Sequence, residues 1–166
     1  MKIYFLRHGK ADWPDWNKPD DERPLTKQGK KEMRAVGEFL AGLEVSPDAI
    51  LTSPLPRASQ TAEIAAEHLK VQSSEEKLLA PGFGVIELTR ILRKHRGESL
   101  MLVGHEPDFS KTILALTGGN LKLSKAGVAL VDIGESSRKG KLLWLFPPKI
   151  ICHHERSEGS RKSHQG

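Results

Sequence analysis

The fold is decided by the stretch MKIYFLRHG, residues 1–9. Apart from Lys2, residues 1–6 form an apolar run with aromatic and β-branched side chains and no turn-forming residue. Such a run predicts a buried strand near the centre of a sheet. The strand then ends at Arg7-His8-Gly9, and ligands of open α/β sheets bind beyond the carboxyl ends of the strands. The sequence therefore predicts a functional site at this end of the first strand.

The three residues that follow the strand have the chemistry of an anion site. Arginine offers a planar fork of donors that suits phosphate, and histidine can act as a nucleophile, an acid or a base. Glycine lets the backbone turn sharply and approach a ligand, so Gly9 is a candidate substrate-binding residue beside Arg7. The alternative is a strand end with a surface arginine and a packed histidine, and the tripeptide alone does not decide between the two.

The composition is that of an ordinary globular protein with one domain. The chain has 166 residues, of which 37% are hydrophobic and 28% charged. No apolar stretch approaches the roughly 20 residues that a membrane-spanning helix needs, and the N-terminus has no signal-peptide pattern. The single cysteine excludes an internal disulfide and suits a reducing compartment. We therefore expect a cytoplasmic protein with no membrane partner; a monomer is the working expectation, although the sequence carries no signal for the oligomeric state. The net charge of +5 is too small to indicate a nucleic-acid partner and fits a local pocket for a small anion.

The rest of the chain contains further patterns typical of strands and helices. Strands are expected at 49–52, 99–103, 127–133 and 141–146, with a further short strand possible at 77–80. Helices are expected at 27–42 after Thr26, from about 54 to 69, from about 85 to 96, and from 107 to about 116.

Two later junctions resemble the first in their chemistry. Arg57 lies in the first turn of a helix directly after strand 49–52, where free backbone N–H groups favour an anion. His105 follows strand 99–103 in a Gly-His-Glu-Pro stretch. Two strands that each end in a histidine suggest that His8 and His105 meet at one pocket. A solvated Arg57 or a structural histidine remains the alternative at each position.

The loop at 10–24 leaves the expected site end of the first strand and could border a pocket. Trp13 and Trp16 could contact substrate or cover a small core of the loop itself. Arg23 could bind an anion or pair with a nearby carboxylate.

The stretch 149–166 is polar and aperiodic, so we expect a domain at 1–148 and a disordered tail. Cys152, His153 and His154 could in principle hold a metal, but a tail without fixed geometry is a poor metal site.

Three stretches, at 6–9, 52–62 and 103–107, together resemble the histidine phosphatase superfamily, also called the phosphoglycerate mutase-like fold, in both order and spacing. The resemblance covers about residues 1–148. The RPLTKQG stretch at 23–29, the Phe-Pro-Pro end and the lack of a large inserted helical region are similar to the small bacterial SixA-type phosphohistidine phosphatases. The resemblance implies a three-layer α/β/α sandwich with a mostly parallel sheet and one antiparallel edge.

The resemblance also implies a mechanism without metal or cofactor. His8 would be the nucleophile and form a phosphohistidine intermediate. Arg7 and Arg57 would bind the phosphoryl oxygens, His105 would donate a hydrogen bond to them, and water would then attack the phosphoenzyme. Two arginines and a second imidazole suit this chemistry, because phosphoryl transfer needs positioning and neutralisation of charge.

Larger members of the superfamily have a carboxylate that protonates the leaving oxygen, in a segment that is not found in this sequence. Glu87, Glu106, Asp20 and Asp21 are candidates by position alone. A missing acid favours a P–N substrate, because imidazole leaves more readily than an alkoxide. The sequence thus predicts a phosphatase for phosphohistidine in a partner protein. The alternatives are a phosphatase for small phosphomonoesters and, less favoured, a non-catalytic module that binds phosphate.

Overall fold

The computed structural model describes residues 1–135 and 138–151. Within these residues the strands are β1 Lys2–Arg7, β2 Ala49–Thr52, β3 Ser73–Glu75, β4 Ser99–Gly104, β5 Val128–Ile133 and β6 Gly140–Phe146. The α-helices of the same residues are α1 Lys27–Gly42, α2 Pro56–Leu69, α3 Val85–Lys94 and α4 Asp108–Thr117. No helix in the described part of the chain is long and apolar enough to cross a membrane.

The strands form one mixed sheet in the order β3-β2-β4-β1-β5-β6. The strands β3, β2, β4 and β1 run parallel to one another, whereas β5 pairs antiparallel with both β1 and β6. This topology confirms the predicted α/β fold with a mostly parallel sheet and an antiparallel edge. Strand β1 is an almost continuous apolar run because it lies inside the sheet and helices cover both faces of the sheet.

The two faces of β1 belong to two separate hydrophobic clusters. Ile3 and Phe5 pack into the cluster that includes α3 and α4 residues. Leu6 packs into the cluster that includes α1 and α2 residues, and the half-buried Tyr4 lies against it. Successive side chains of a strand point to opposite faces, so this alternation gives the three-layer arrangement of helices, sheet and helices.

The prediction of a short strand at 77–80 is wrong. Residues Lys77–Leu79 form a short 3₁₀ helix, and the strand beside β2 is the preceding polar stretch Ser73–Glu75. A short edge strand is largely exposed, so it carries no apolar pattern. The apolar signal at 77–80 comes instead from Leu79, whose side chain is buried in the core under α3.

The described residues continue for three positions past 148, where the sequence analysis places the domain end. Residues 149–151 form a helical turn, with the backbone N–H of Ile151 donating to the carbonyl of Pro148 at 3.1 Å. Ile151 packs against the α1 and α2 cluster, so this turn is part of the packed structure. The predicted disorder of the later tail, and any metal binding by Cys152, His153 and His154, concern residues outside the described ones.

Candidate active site

A cavity of about 460 Å³ lies where the carboxyl ends of β1, β2 and β4 meet. Its wall includes Arg7, His8, Arg57 and His105, which come from three separate stretches of the sequence. The structure thus brings together the side chains that the three strand junctions predicted. The parallel arrangement of these strands is the reason, because it places their carboxyl ends at one edge of the sheet.

His8 is buried, with 9% of its surface exposed. Its backbone N–H donates to the carbonyl of Gly104 at 3.0 Å, and its Nδ1 lies 2.7 Å from the carbonyl oxygen of Gly9. A carbonyl can only accept, so Nδ1 carries the ring proton and Nε2 keeps its lone pair. Burial lowers the pKa of His8 to about 4, and the charges of Arg57 and Arg7 act in the same direction. At neutral pH the ring is therefore neutral, with the lone pair of Nε2 available.

His105 lies beside His8, with 5.3 Å between the two ring centroids. Its Nε2 is 2.8 Å from the Ser53 hydroxyl, which accepts a hydrogen bond from the backbone N–H of Leu55 at 3.3 Å. When the Ser53 O–H donates to Nε2, the ring proton of His105 lies on Nδ1; in the other tautomer Nε2–H donates to the Ser53 hydroxyl. This buried Nδ1 has no hydrogen-bond partner among the described residues. Burial, with the neighbouring His8, lowers the pKa of His105 to about 3, so His105 is a neutral donor.

Arg57 reaches the cavity from the first turn of α2 and is 6% exposed. Its Nη1 donates to the backbone carbonyl of Asp20 at 3.0 Å, and its Nη2 lies 3.4 Å from Asp20 Oδ2. Arg23 contacts the same carboxylate, with 2.9 Å between Nη2 and Asp20 Oδ1, and its Nη1 donates to the Ala11 carbonyl. Arg23 therefore pairs with carboxylates, as one of its two interpretations has it, and it also lines the cavity, where anion binding stays a prediction.

Arg7 is fixed by the loop that precedes β5. Its Nη1 donates to the Leu123 carbonyl at 3.0 Å, and its backbone N–H donates to the Gly127 carbonyl at 3.1 Å. Burial lowers the pKa of Arg7, while the charge of Glu106 raises it. An arginine keeps its charge through such shifts, so Arg7 supplies a second fixed cation to the cavity.

Gly9 is not among the residues that line the cavity, and its role in substrate binding stays a prediction. Its N–H donates to the Thr61 hydroxyl at 3.0 Å, and that hydroxyl donates to the Arg57 carbonyl at 2.7 Å. A Cβ at Gly9 would lie 3.3 Å from a methyl group of Leu25. Gly9 therefore joins the end of β1 to the start of α2 and positions His8 and Arg57.

The candidate acids divide into two groups. Glu87 lies away from the cavity, because its carboxylate accepts the Gly84 N–H at 2.9 Å and caps α3. Asp20, Asp21 and Glu106 line the cavity. Carboxylates are therefore available near the site, and the expected lack of an acid does not hold as an argument for a P–N substrate.

Trp13 and Trp16 lie together in the loop at 10–24 and do not line the cavity. Their ring centroids are 6.4 Å apart, and their indole N–H groups donate to the carbonyls of Pro24 and Pro19. This geometry favours the second interpretation, in which the two tryptophans stabilise the loop itself.

Several groups at the site were missed in the sequence. Ser53 and Thr61 lie within the 52–62 stretch, so attention to its hydroxyls could have found them. Lys125 forms an ion pair with Asp12 at the cavity wall, and no local pattern indicates this pair because 113 positions separate its members.

In the described part of the chain, no cluster of three or more His, Cys, Asp or Glu side chains could hold a metal.

The fold and this site define a class of enzyme. A family model for the histidine phosphatase superfamily (branch 1) matches residues 3–88, which include β1, α1, β2 and α2. Together with the relative described next, this match shows that the chain belongs to the histidine phosphatase superfamily and is a phosphatase.

Among its relatives, the chain is 30% identical over 155 residues to the phosphohistidine phosphatase SixA of Escherichia coli strain K12, covering 89% of this chain and 94% of SixA. It is 39% identical over 164 residues to an uncharacterised protein of Picosynechococcus, covering 91% of this chain and 99% of that protein. A solved structure of the protein histidine phosphatase SixA complexed with tungstate matches with a TM-score of 0.79 and 29% identity, covering 91% of this chain and 99% of that one.

Proposed function

We propose that the protein removes phosphate from phosphohistidine in a partner protein, through a covalent intermediate on His8 and without a metal. The observation that carries the proposal is the contact between His8 Nδ1 and the Gly9 carbonyl, at 2.7 Å. It directs the lone pair of a neutral imidazole to Nε2, in a cavity where Arg7, Arg57 and His105 surround it.

In the first step, His8 Nε2 forms a bond to phosphorus as the P–N bond of the substrate breaks. The electron pair of that bond stays on the leaving imidazole, which takes a proton from solvent. Water then attacks phosphorus, the bond to Nε2 breaks, and orthophosphate leaves. Arg7 and Arg57 neutralise the phosphoryl oxygens in both transition states, while His105 donates from Nδ1.

The protein substrate is supported by two observations. SixA, to which the chain is similar over nearly its full length, is named as a protein histidine phosphatase. In addition, the side chain of Asp20, which contacts both Arg57 and Arg23, is 68% exposed. The anion site therefore lies directly below the surface, within reach of a histidine on another protein.

A small phosphomonoester is the second candidate substrate, because carboxylates lie at the cavity. Asp21 and Glu106 could protonate an alkoxide leaving group. In the structure both carboxylate oxygens of Glu106 accept from Ser110, one from its N–H at 2.9 Å and one from its hydroxyl. These hydrogen bonds hold Glu106 at the start of α4. Asp21 is therefore the better candidate for the acid that protonates the leaving group.

The test compares initial phosphate release from a phosphohistidine-bearing protein and from alkyl and aryl phosphate monoesters, with a metal chelator present. The proteins are wild type, His8→Ala, and His95→Ala as a control histidine outside the cavity. We expect fast release from phosphohistidine, abolished only in His8→Ala, and a ³²P-labelled acid-labile adduct in wild type. Faster release from the alkyl ester would assign the protein to the small-molecule phosphatases. Loss of activity in chelator would contradict the metal-free mechanism.

A further inference from the structure

A second cavity, of about 380 Å³, adjoins the active site and shares Arg7 and Lys125 with it. We call this cavity the lysine groove. It lies between α1, the loop before β5 and the turn that follows β6, and Ala35, Pro148 and Ile151 contribute its apolar surface.

The charges of the lysine groove differ from those of the active site. The groove is lined by four cationic side chains, Arg7, Lys122, Lys125 and Lys149, and by one carboxylate, Glu32. The active-site cavity, in contrast, is lined by four cationic side chains and five carboxylates. Lys122 and Lys149 are exposed, and neither forms an ion pair with any described residue. The groove is therefore the surface beside the active site where an anionic group is favoured.

An acidic protein segment fits this groove better than the tail of the chain does. Positive charge around apolar surface is complementary to a segment that combines Asp or Glu with an aliphatic side chain. The sequence after Ile151 has three Lys/Arg and two Glu and no aliphatic residue, so it lacks that complementarity. Since Arg7 and Lys125 line both cavities, one partner can occupy the groove while its phosphoryl group lies at His8.

We propose that the lysine groove docks an acidic, aliphatic-bearing surface segment of the phosphohistidine protein whose phosphoryl group enters the active site. This inference rests on the proposed function, since it assumes a protein substrate. In this proposal Lys122 and Lys149 select the partner protein, although neither lines the active-site cavity.

The test uses three P–N substrates: a phosphohistidine peptide with an Asp/Glu/Leu flank, the same peptide with a Lys/Gln flank, and phosphoramidate. Wild type is compared with Lys122→Glu/Lys149→Glu. The control is Arg93→Glu/Lys111→Glu, which makes the same charge change at exposed positions of α3 and α4 on the other face of the sheet. We expect wild type to prefer the acidic peptide at least tenfold in kcat/KM at low salt. The groove variant should lose that preference and the control should keep it. Raising the salt concentration should weaken the preference in wild type.

The outcomes separate the two proposals. If wild type hydrolyses none of the three substrates, the proposed function fails. If it hydrolyses all three equally, and the groove variant behaves as wild type, the docking proposal is overturned while the function stands. A wild-type dimer in sedimentation velocity that the groove variant converts to monomer would assign the groove to a second copy of this chain and overturn the proposal.

Discussion

Asp20 contacts both terminal nitrogens of Arg57. Arg57 Nη1 donates to the backbone carbonyl of Asp20 at 3.0 Å, and Arg57 Nη2 lies 3.4 Å from the Asp20 carboxylate. These are the donors that a phosphoryl group at His8 would use. A bound oxyanion must therefore compete with a carboxylate of the protein's own loop.

Replacement of Asp20 should consequently tighten oxyanion binding. Asp20→Asn removes the competing negative charge but keeps the backbone carbonyl that Arg57 contacts. We expect the inhibition constant for tungstate to fall roughly twofold to fivefold, a small effect because the Asp20 side chain is 68% exposed and its charge is screened. Asp21→Asn is the matched control, since Asp21 lines the same cavity without an ion pair to Arg57. Weaker tungstate binding by Asp20→Asn would show that Asp20 orients Arg57 instead of competing for it.

Arg57 should not tolerate lysine. Arg57→Lys keeps the positive charge but replaces a planar fork of donors by a single ammonium group, which cannot bridge two phosphoryl oxygens in the same way. We expect kcat/KM for phosphate release to fall about 10²-fold, the scale seen when one transition-state donor is lost. Arg34→Lys, at an exposed position of α1, should leave kcat/KM near the wild-type value. A loss of less than threefold in Arg57→Lys would exclude a bidentate role.

The two histidines should make stability depend on pH in a defined direction. An imidazole in the unfolded chain takes up a proton near pH 6.5, whereas the low pKa values of His8 and His105 in the folded protein are about 4 and about 3. Between these values the unfolded state binds more protons, so the free energy of unfolding is highest above pH 6.5 and falls as the pH is lowered toward 4. His8 alone contributes a fall on the order of 3 kcal/mol over this window.

Denaturant unfolding of wild type and His8→Gln between pH 7.5 and 4.5 measures this contribution. Glutamine does not titrate, so the fall in the free energy of unfolding should be smaller in the variant, most clearly below pH 6. Equal slopes for the two proteins would mean that His8 titrates normally in the fold. In that case the neutral nucleophile at neutral pH would need another explanation.

Gly29 should be a fixed packing position in the first turn of α1. A Cβ built there would lie 2.1 Å from the backbone carbonyl oxygen of Lys10, and a backbone atom cannot move aside as a flexible side chain can. We expect Gly29→Ala to lower the free energy of unfolding by about 1–3 kcal/mol, the usual range for overpacking. Gly42→Ala is the control, because a Cβ at that position would meet no atom within 4 Å and alanine favours helix. A neutral Gly29→Ala would show that the loop at Lys10 is free to shift.

Much of the candidate active site could be predicted from local sequence. An apolar strand that ends in Arg7-His8-Gly9, and another that ends in Gly104-His105, follow from short patterns. The parallel pairing of β1 with β4, with Arg7 opposite Gly104, then brings the two histidines to one edge of the sheet. The start of helix α1 was equally predictable, because threonine is a good N-cap residue. In the structure the Thr26 hydroxyl accepts the Gly29 N–H at 2.9 Å, as expected of an N-cap.

The surroundings of that constellation were decided by the tertiary structure. Strand alternation and helix caps depend on neighbours in the chain, so a sequence encodes them locally. The placement of Asp20 on Arg57, and of Lys125 on Asp12, depends on how two loops fold over the sheet edge. The lysine groove likewise exists only because the turn at Ile151 packs beside α1. The sequence by itself determined the chemistry of the proposed nucleophile, His8, whereas long-range packing decided which charges surround it.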